Sequence, residues 1–188
     1  MIACEGISAH GVWGMDRLFL LLPLWFLLNS CATCWRDGEP LRDVEVRALR
    51  AVEKDLRGRK DVQLFRGLAH PQRDEEIYKR QLMEEDHIEI EGFRFFRQAE
   101  AVDDACVKRL VNLYCDKESH QALAAPKTTC AGFHPDYALV WRDKGRKGVL
   151  QICYGCHEWK YLGAGGILYT DINEPAYFDE LMQWLPPR

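Results

Sequence analysis

Four short runs of β-forming residues crowd the last third of the chain, at 138–141, 149–153, 158–162 and 167–170. Between them stand Lys144-Gly145, a Tyr154-Gly155 knuckle and Gly163-Ala164-Gly165-Gly166. Parallel neighbours need a crossover of a dozen residues or more, and these gaps are far shorter, so the runs must form an antiparallel meander. Such a sheet needs cover, and the chain supplies amphipathic stripes to provide it. Val46, Leu49, Val52 and Leu56 share one helical face that Gly58 can end. Asp103 and Asp104 open a second helix carrying Val107, Leu110, Val111 and Tyr114. Asn173 is expected to cap a third, with Phe178, Leu181, Met182 and Leu185 on one face and Pro186-Pro187 as its stop. A short strand is expected over 62–68. A charged helix over 74–85 rests on Ile77, Tyr78 and Leu82 alone. Ile88 and Ile90 alternate with glutamates, and Phe93 and Phe95 resume beyond Gly92, which predicts one strand with a bulge at the glycine. The fold class expected is α+β, a single domain without internal repeats, its C-terminal meander packed by amphipathic helices.

The N-terminal stretch belongs to no such domain. From Met15 the chain reads Asp16, Arg17, eleven residues (18–28) that are apolar apart from Pro23, then Asn29, Ser30 and Cys31. That apolar run has the length of a secretory signal and falls short of the ~20 residues a membrane-spanning helix needs. Met15 is the expected start, because residues 1–14 hold no Lys or Arg. Leu28-Asn29-Ser30-Cys31 resembles the lipobox of bacterial lipoproteins. The resemblance implies lipidation of Cys31 with diacylglycerol, an acylated (palmitate-bearing) N-terminus and, from Ala32, an outer-membrane address facing the periplasm. A secreted or periplasmic protein is the alternative. The expected organisation is a signal peptide over 1–30, a lipidated tether over 31–43 containing Gly38 and Pro40, and a globular domain over 44–188.

Charge restricts the partners. The chain carries 25 Lys and Arg against 29 Asp and Glu, a net charge of −4, which provides no electrostatic footprint for nucleic acid. The membrane, through the lipid anchor, is the partner expected. Serine chemistry is nearly absent by count. Of Ser8, Ser30 and Ser119 only the last would survive processing, and it lacks a nucleophile-elbow context. The glycines at 163–166 read as a hairpin and not as a phosphate cradle. The acidic run 84–86 and the cations Arg142, Lys144, Arg146 and Lys147 read as solvated surface.

Cysteine and histidine carry the remaining chemistry. After processing, Cys34, Cys106, Cys115, Cys130, Cys153 and Cys156 remain beside the lipidated Cys31, an even number that in an oxidising compartment suits disulfides. Cys153 and Cys156 on a hairpin knuckle, with Cys130 and His134, have ligand types and spacing suited to zinc, and disulfides fit the same sulfurs equally. Cys153-Tyr-Gly-Cys156-His157 is also the string of covalent haem attachment, although strand-like runs flank it. Those flanks also oppose a thiol–disulfide oxidoreductase, whose Cys-x-x-Cys opens a helix. His134-Pro135-Asp136 could pair a base with a carboxylate, without an identified substrate. Cys130-Ala-Gly-Phe-His-Pro-Asp-Tyr137 followed by Cys153-Tyr-Gly-Cys156 resembles an uncharacterised family of bacterial exported proteins with the pattern Cys-Gly-Gly-Phe-His-Pro-Asp-Tyr and Cys-Phe-Gly-Cys. This chain departs from it at Ala131 and Tyr154. The resemblance implies the domain and brings no activity. The function expected is a lipid-anchored envelope protein acting as a structural or binding module, and the sequence leans away from an enzyme. The alternative is a zinc or haem protein using Cys130, His134, Cys153, Cys156 and His157.

Overall fold

The computed structural model describes residues 38–59, 61–123 and 132–186. The leader, the lipobox, Cys31, Cys34 and Cys130 lie outside the described residues. Helix α1 (Asp43–Leu56) starts where Glu45 reaches back to accept the Arg42 backbone N–H at 2.7 Å, and it buries Leu49, Val52 and Leu56. Strand β1 (Gln63–Arg66) and helix α2 (Glu75–Glu84) follow. Strands β2 (His87–Ile90) and β3 (Phe93–Phe96) precede helix α3 (Asp104–Cys115), a 3-10 turn (Lys117–Ser119) and the short β4 (His120–Gln121). The meander is β5 (Tyr137–Asp143), β6 (Arg146–Cys153), β7 (Glu158–Gly163) and β8 (Gly166–Ile172), closed by helix α4 (Ala176–Trp184). The protein is an α+β domain.

Six strands form one sheet in the order β1-β5-β6-β7-β8-β4, and every pairing is antiparallel. The two faces of the sheet have different cover. Leu139, Trp141, Leu150, Ile152, Trp159 and Tyr161 point toward α1, α3 and α4 and form the main core. Ala138 and Val149 point the other way, against Phe65, Ile90 and Phe95 of the β2–β3 hairpin. Period-two alternation assigns these residues to opposite faces. Gln151, fully buried between the layers, ties the sheet to the hairpin by donating to the Ile90 carbonyl at 3.2 Å.

Two expectations need correction. The glycine at 92 makes a two-residue hairpin turn and not a bulge. Ile90 pairs with Phe93, and Glu91 and Gly92 both take positive φ (51° and 85°), the geometry of a tight primed turn. Asn173 does not cap α4, which starts after Pro175. Its amide instead donates to the Glu118 carbonyl at 2.7 Å and accepts from Gln121 Nε2, fastening β8 to the 3-10 turn. Asp103 does cap α3 as expected, accepting the Cys106 N–H at 2.6 Å.

Candidate functional site: a cleft at the end of the sheet

The sheet ends in a cleft of about 540 Å³, built by three separate segments of the chain. Gly67–His70 follows β1 and leads into α2. His134–Tyr137 leads into β5. The knuckle of Cys153, Tyr154 and Gly155 joins β6 to β7, and Phe178 and Met182 of α4 complete the wall. Backbone bonds lock these segments together. Asp136 N–H donates to the Ile152 carbonyl at 2.8 Å, and Gly67 N–H donates to the Asp136 carbonyl at 2.7 Å. The Asp136 carboxylate returns to the knuckle by accepting the Tyr154 N–H at 2.7 Å. Gly67 is required by closeness: a Cβ there would lie 2.2 Å from the Pro135 carbonyl oxygen.

The titratable groups of the cleft are tuned mainly by burial. The His134 imidazole is pushed down to about 4, chiefly by desolvation and further by the neighbouring His70, so it is neutral at pH 7. The two rings lie 4.8 Å apart. His70 Nδ1 accepts the backbone N–H groups of Gln72 (3.1 Å) and Arg73 (3.2 Å), which makes Nε2 the ring nitrogen that carries a proton. Burial pushes the Asp136 carboxyl up, against the opposing pull of the Tyr154 N–H. Burial also pushes the Cys153 thiol up to about 11, although its sulfur accepts backbone N–H bonds from His134 and Cys156. A thiol protonated at neutral pH is a poor nucleophile. The groups present suit holding a ligand better than attacking one.

The sequence-selected residues separate. His134 and Cys153 share the cleft, whereas Cys156 is turned toward Gly132, its Sγ 3.4 Å from that carbonyl oxygen. His157 stacks on Phe178 with centroids 3.9 Å apart, and its Nδ1 is paired with Glu174. Cys153 and Cys156 are each only 2% exposed. Cys106, Cys115 and Cys153 are free thiols. Among the described residues no three His, Cys, Asp or Glu side chains are placed to hold a metal ion, and Cys130 of the expected set lies outside them. Sequence reasoning missed Gly67, His70 and Arg73. They sit in a loop with no periodic pattern, and only folding brings them to the motif.

No family model, no curated protein and no solved structure matches this chain. Among the described residues no helix is long and apolar enough to cross a membrane.

Proposed function

We propose that the chain is an exported binding module, tethered to the envelope through a lipidated Cys31, whose ligand site is the cleft at the end of the sheet. One observation carries the binding half of this reading. His134-Pro135-Asp136-Tyr137 and Cys153-Tyr154-Gly155, which together resemble an exported family's pattern, form adjoining parts of one concave wall. A cleft of several hundred Å³ with apolar walls and a few convergent polar groups is the usual form of a small-molecule site. The anchor half rests on the leader ending at Cys31 and on the chemistry of stable attachment, which takes two or more acyl chains. An outer-membrane location follows from Ala32 in the same reading.

The zinc and haem readings draw less support. Two buried sulfurs leave a porphyrin no open attachment face, and Cys156 does not line the cleft that His134 and Cys153 share. Disulfide bonding in an oxidising compartment would draw on Cys156 before the free thiols of α3, because Cys106 and Cys115 sit nine residues apart on one helix and cannot meet.

Native mass spectrometry of the full chain, purified from envelopes in detergent, tests the cleft. A small molecule should accompany the wild type and be absent from Phe178→Lys; the same added mass on both proteins, or none on either, would count against it. Growth with labelled palmitate tests the anchor, with label expected on the wild type and none on Cys31→Ser.

A further inference from the structure

We infer that the cleft takes an apolar zwitterion of amino-acid or dipeptide size, with both ends free. The inference rests on the cleft being the ligand site and names what that site recognises. Its polar groups come in both signs. Arg73 lies on the wall and, like Arg47, Arg50 and Arg80, has no carboxylate within ion-pair distance among the described residues; of these four arginines it is the one that lines the cleft. On the same wall, His70 presents Nε2–H as a fixed donor, because both acceptor bonds are made at Nδ1. A guanidinium and an N–H donor lining one cleft suit a carboxylate.

The cleft carries acids as well. The Asp136 carboxylate accepts the Tyr154 N–H and its own backbone N–H, and it lies within electrostatic reach of Arg73 and His70. Asp74, at the start of α2, makes no capping bond with its side chain. A ligand with a carboxylate alone would bring a further negative charge up to these two acids, and a simple amine would oppose Arg73. A molecule carrying both charges satisfies both sets, which is the sense in which recognition excludes as well as attracts.

The body of such a ligand must be apolar. Leu68, Ile77, Phe178 and Met182 line the remaining wall. Helix α2 buries none of its ten residues, and Ile77 stays 43% exposed although it faces the cleft. Covering Ile77 with an aliphatic side chain removes apolar surface from water on both partners. The volume of about 540 Å³ accommodates a dipeptide with room for water.

Isothermal titration of the full chain in detergent, with leucyl-leucine and leucine as probes, tests the assignment. The controls are 4-methylpentanoate, which lacks the amine, and 3-methylbutylamine, which lacks the carboxylate. A zwitterion should bind, with each control at least about tenfold weaker, since each leaves one charged set unpaired. Exposed Arg73→Gln should weaken the zwitterion about tenfold and leave the amine unchanged. Equal binding of either control, lost in Phe178→Lys, would overturn the zwitterion while sustaining the cleft. Binding that neither variant changes would overturn both readings. No binding of any probe would overturn the zwitterion, with the cleft still judged by its accompanying small molecule.

Discussion

The carboxylate of Asp136 accepts the backbone N–H of Tyr154 across a sequence separation of eighteen residues, at 2.7 Å. This bond joins the entry to β5 with the knuckle after β6, and so fixes the two halves of the cysteine–histidine motif relative to each other. Asp136→Ala should orphan a partly buried N–H and cost on the order of 1–3 kcal/mol. Asp136→Asn keeps an acceptor oxygen and should cost less than half as much. Urea denaturation at pH 7 compares the two.

A second long-range contact anchors the helical layer. Fully buried Tyr161 donates to Asp55 of α1 at 2.6 Å and accepts the Gly165 N–H at 3.0 Å. Asp55 also receives Arg59 at 3.2 Å. Tyr161→Phe removes the hydroxyl from both partners and should destabilise by about 2 kcal/mol. Chemical denaturation at constant m-value checks this.

Stability should fall as the solution is acidified from neutrality. His120 is held neutral by burial, its pKa pushed down to about 4, with its rings atoms bonded to Thr170 Oγ1 (2.7 Å) and the Tyr114 carbonyl (2.5 Å). His134 is lowered to a similar value. Both bind a proton more readily unfolded than folded, so their contribution is complete above about pH 6.5 and is lost as pH falls toward 4. Asp136 acts with the opposite sign: its raised pKa favours the fold at low pH, and that contribution disappears as pH rises through its folded value. Urea midpoints at pH 7.5, 6 and 5 should therefore decline, with a shallower decline in His134→Gln.

The free thiols should react in order of exposure. Burial raises Cys115 and Cys153 to about 11, whereas Cys106 is half-buried. Iodoacetamide at pH 7.5 should label Cys106 first and reach Cys153 only with denaturant. Peptide mapping reads the order, and rapid native labelling of Cys153 would show an open knuckle.

Gly67→Ala should be severe, because the added methyl meets a backbone oxygen that cannot move without breaking the β1–β5 junction. A loss of more than about 2 kcal/mol is expected, at the upper end for overpacking. Thermal unfolding of the variant measures it.

Much of the architecture was legible from local pattern. The stripe Val46, Leu49, Val52, Leu56 specified α1, the acidic pair at 103–104 specified the start of α3, and glycine-marked turns specified the order of β5 to β8. These signals are local, since periodicity and turn chemistry act within a few residues. The same locality caused the misreadings. Gly92 is compatible with a bulge or a turn until Phe93 is seen paired with Ile90, and Asn173 is a good cap whose amide was taken by Gln121 and Glu118 from more than fifty residues away.

The site shows the division most clearly. The amino-acid order alone placed His134 and Asp136 just before one expected strand and Cys153 at the end of the next. Only the tertiary structure decided that Cys153 faces a cleft while Cys156 turns from it, and that His70 and Arg73 join the wall from a loop after β1. The reason is physical: side-chain direction follows from strand register, but the approach of a distant loop depends on backbone bonds such as Gly67 to Asp136, which no local pattern encodes.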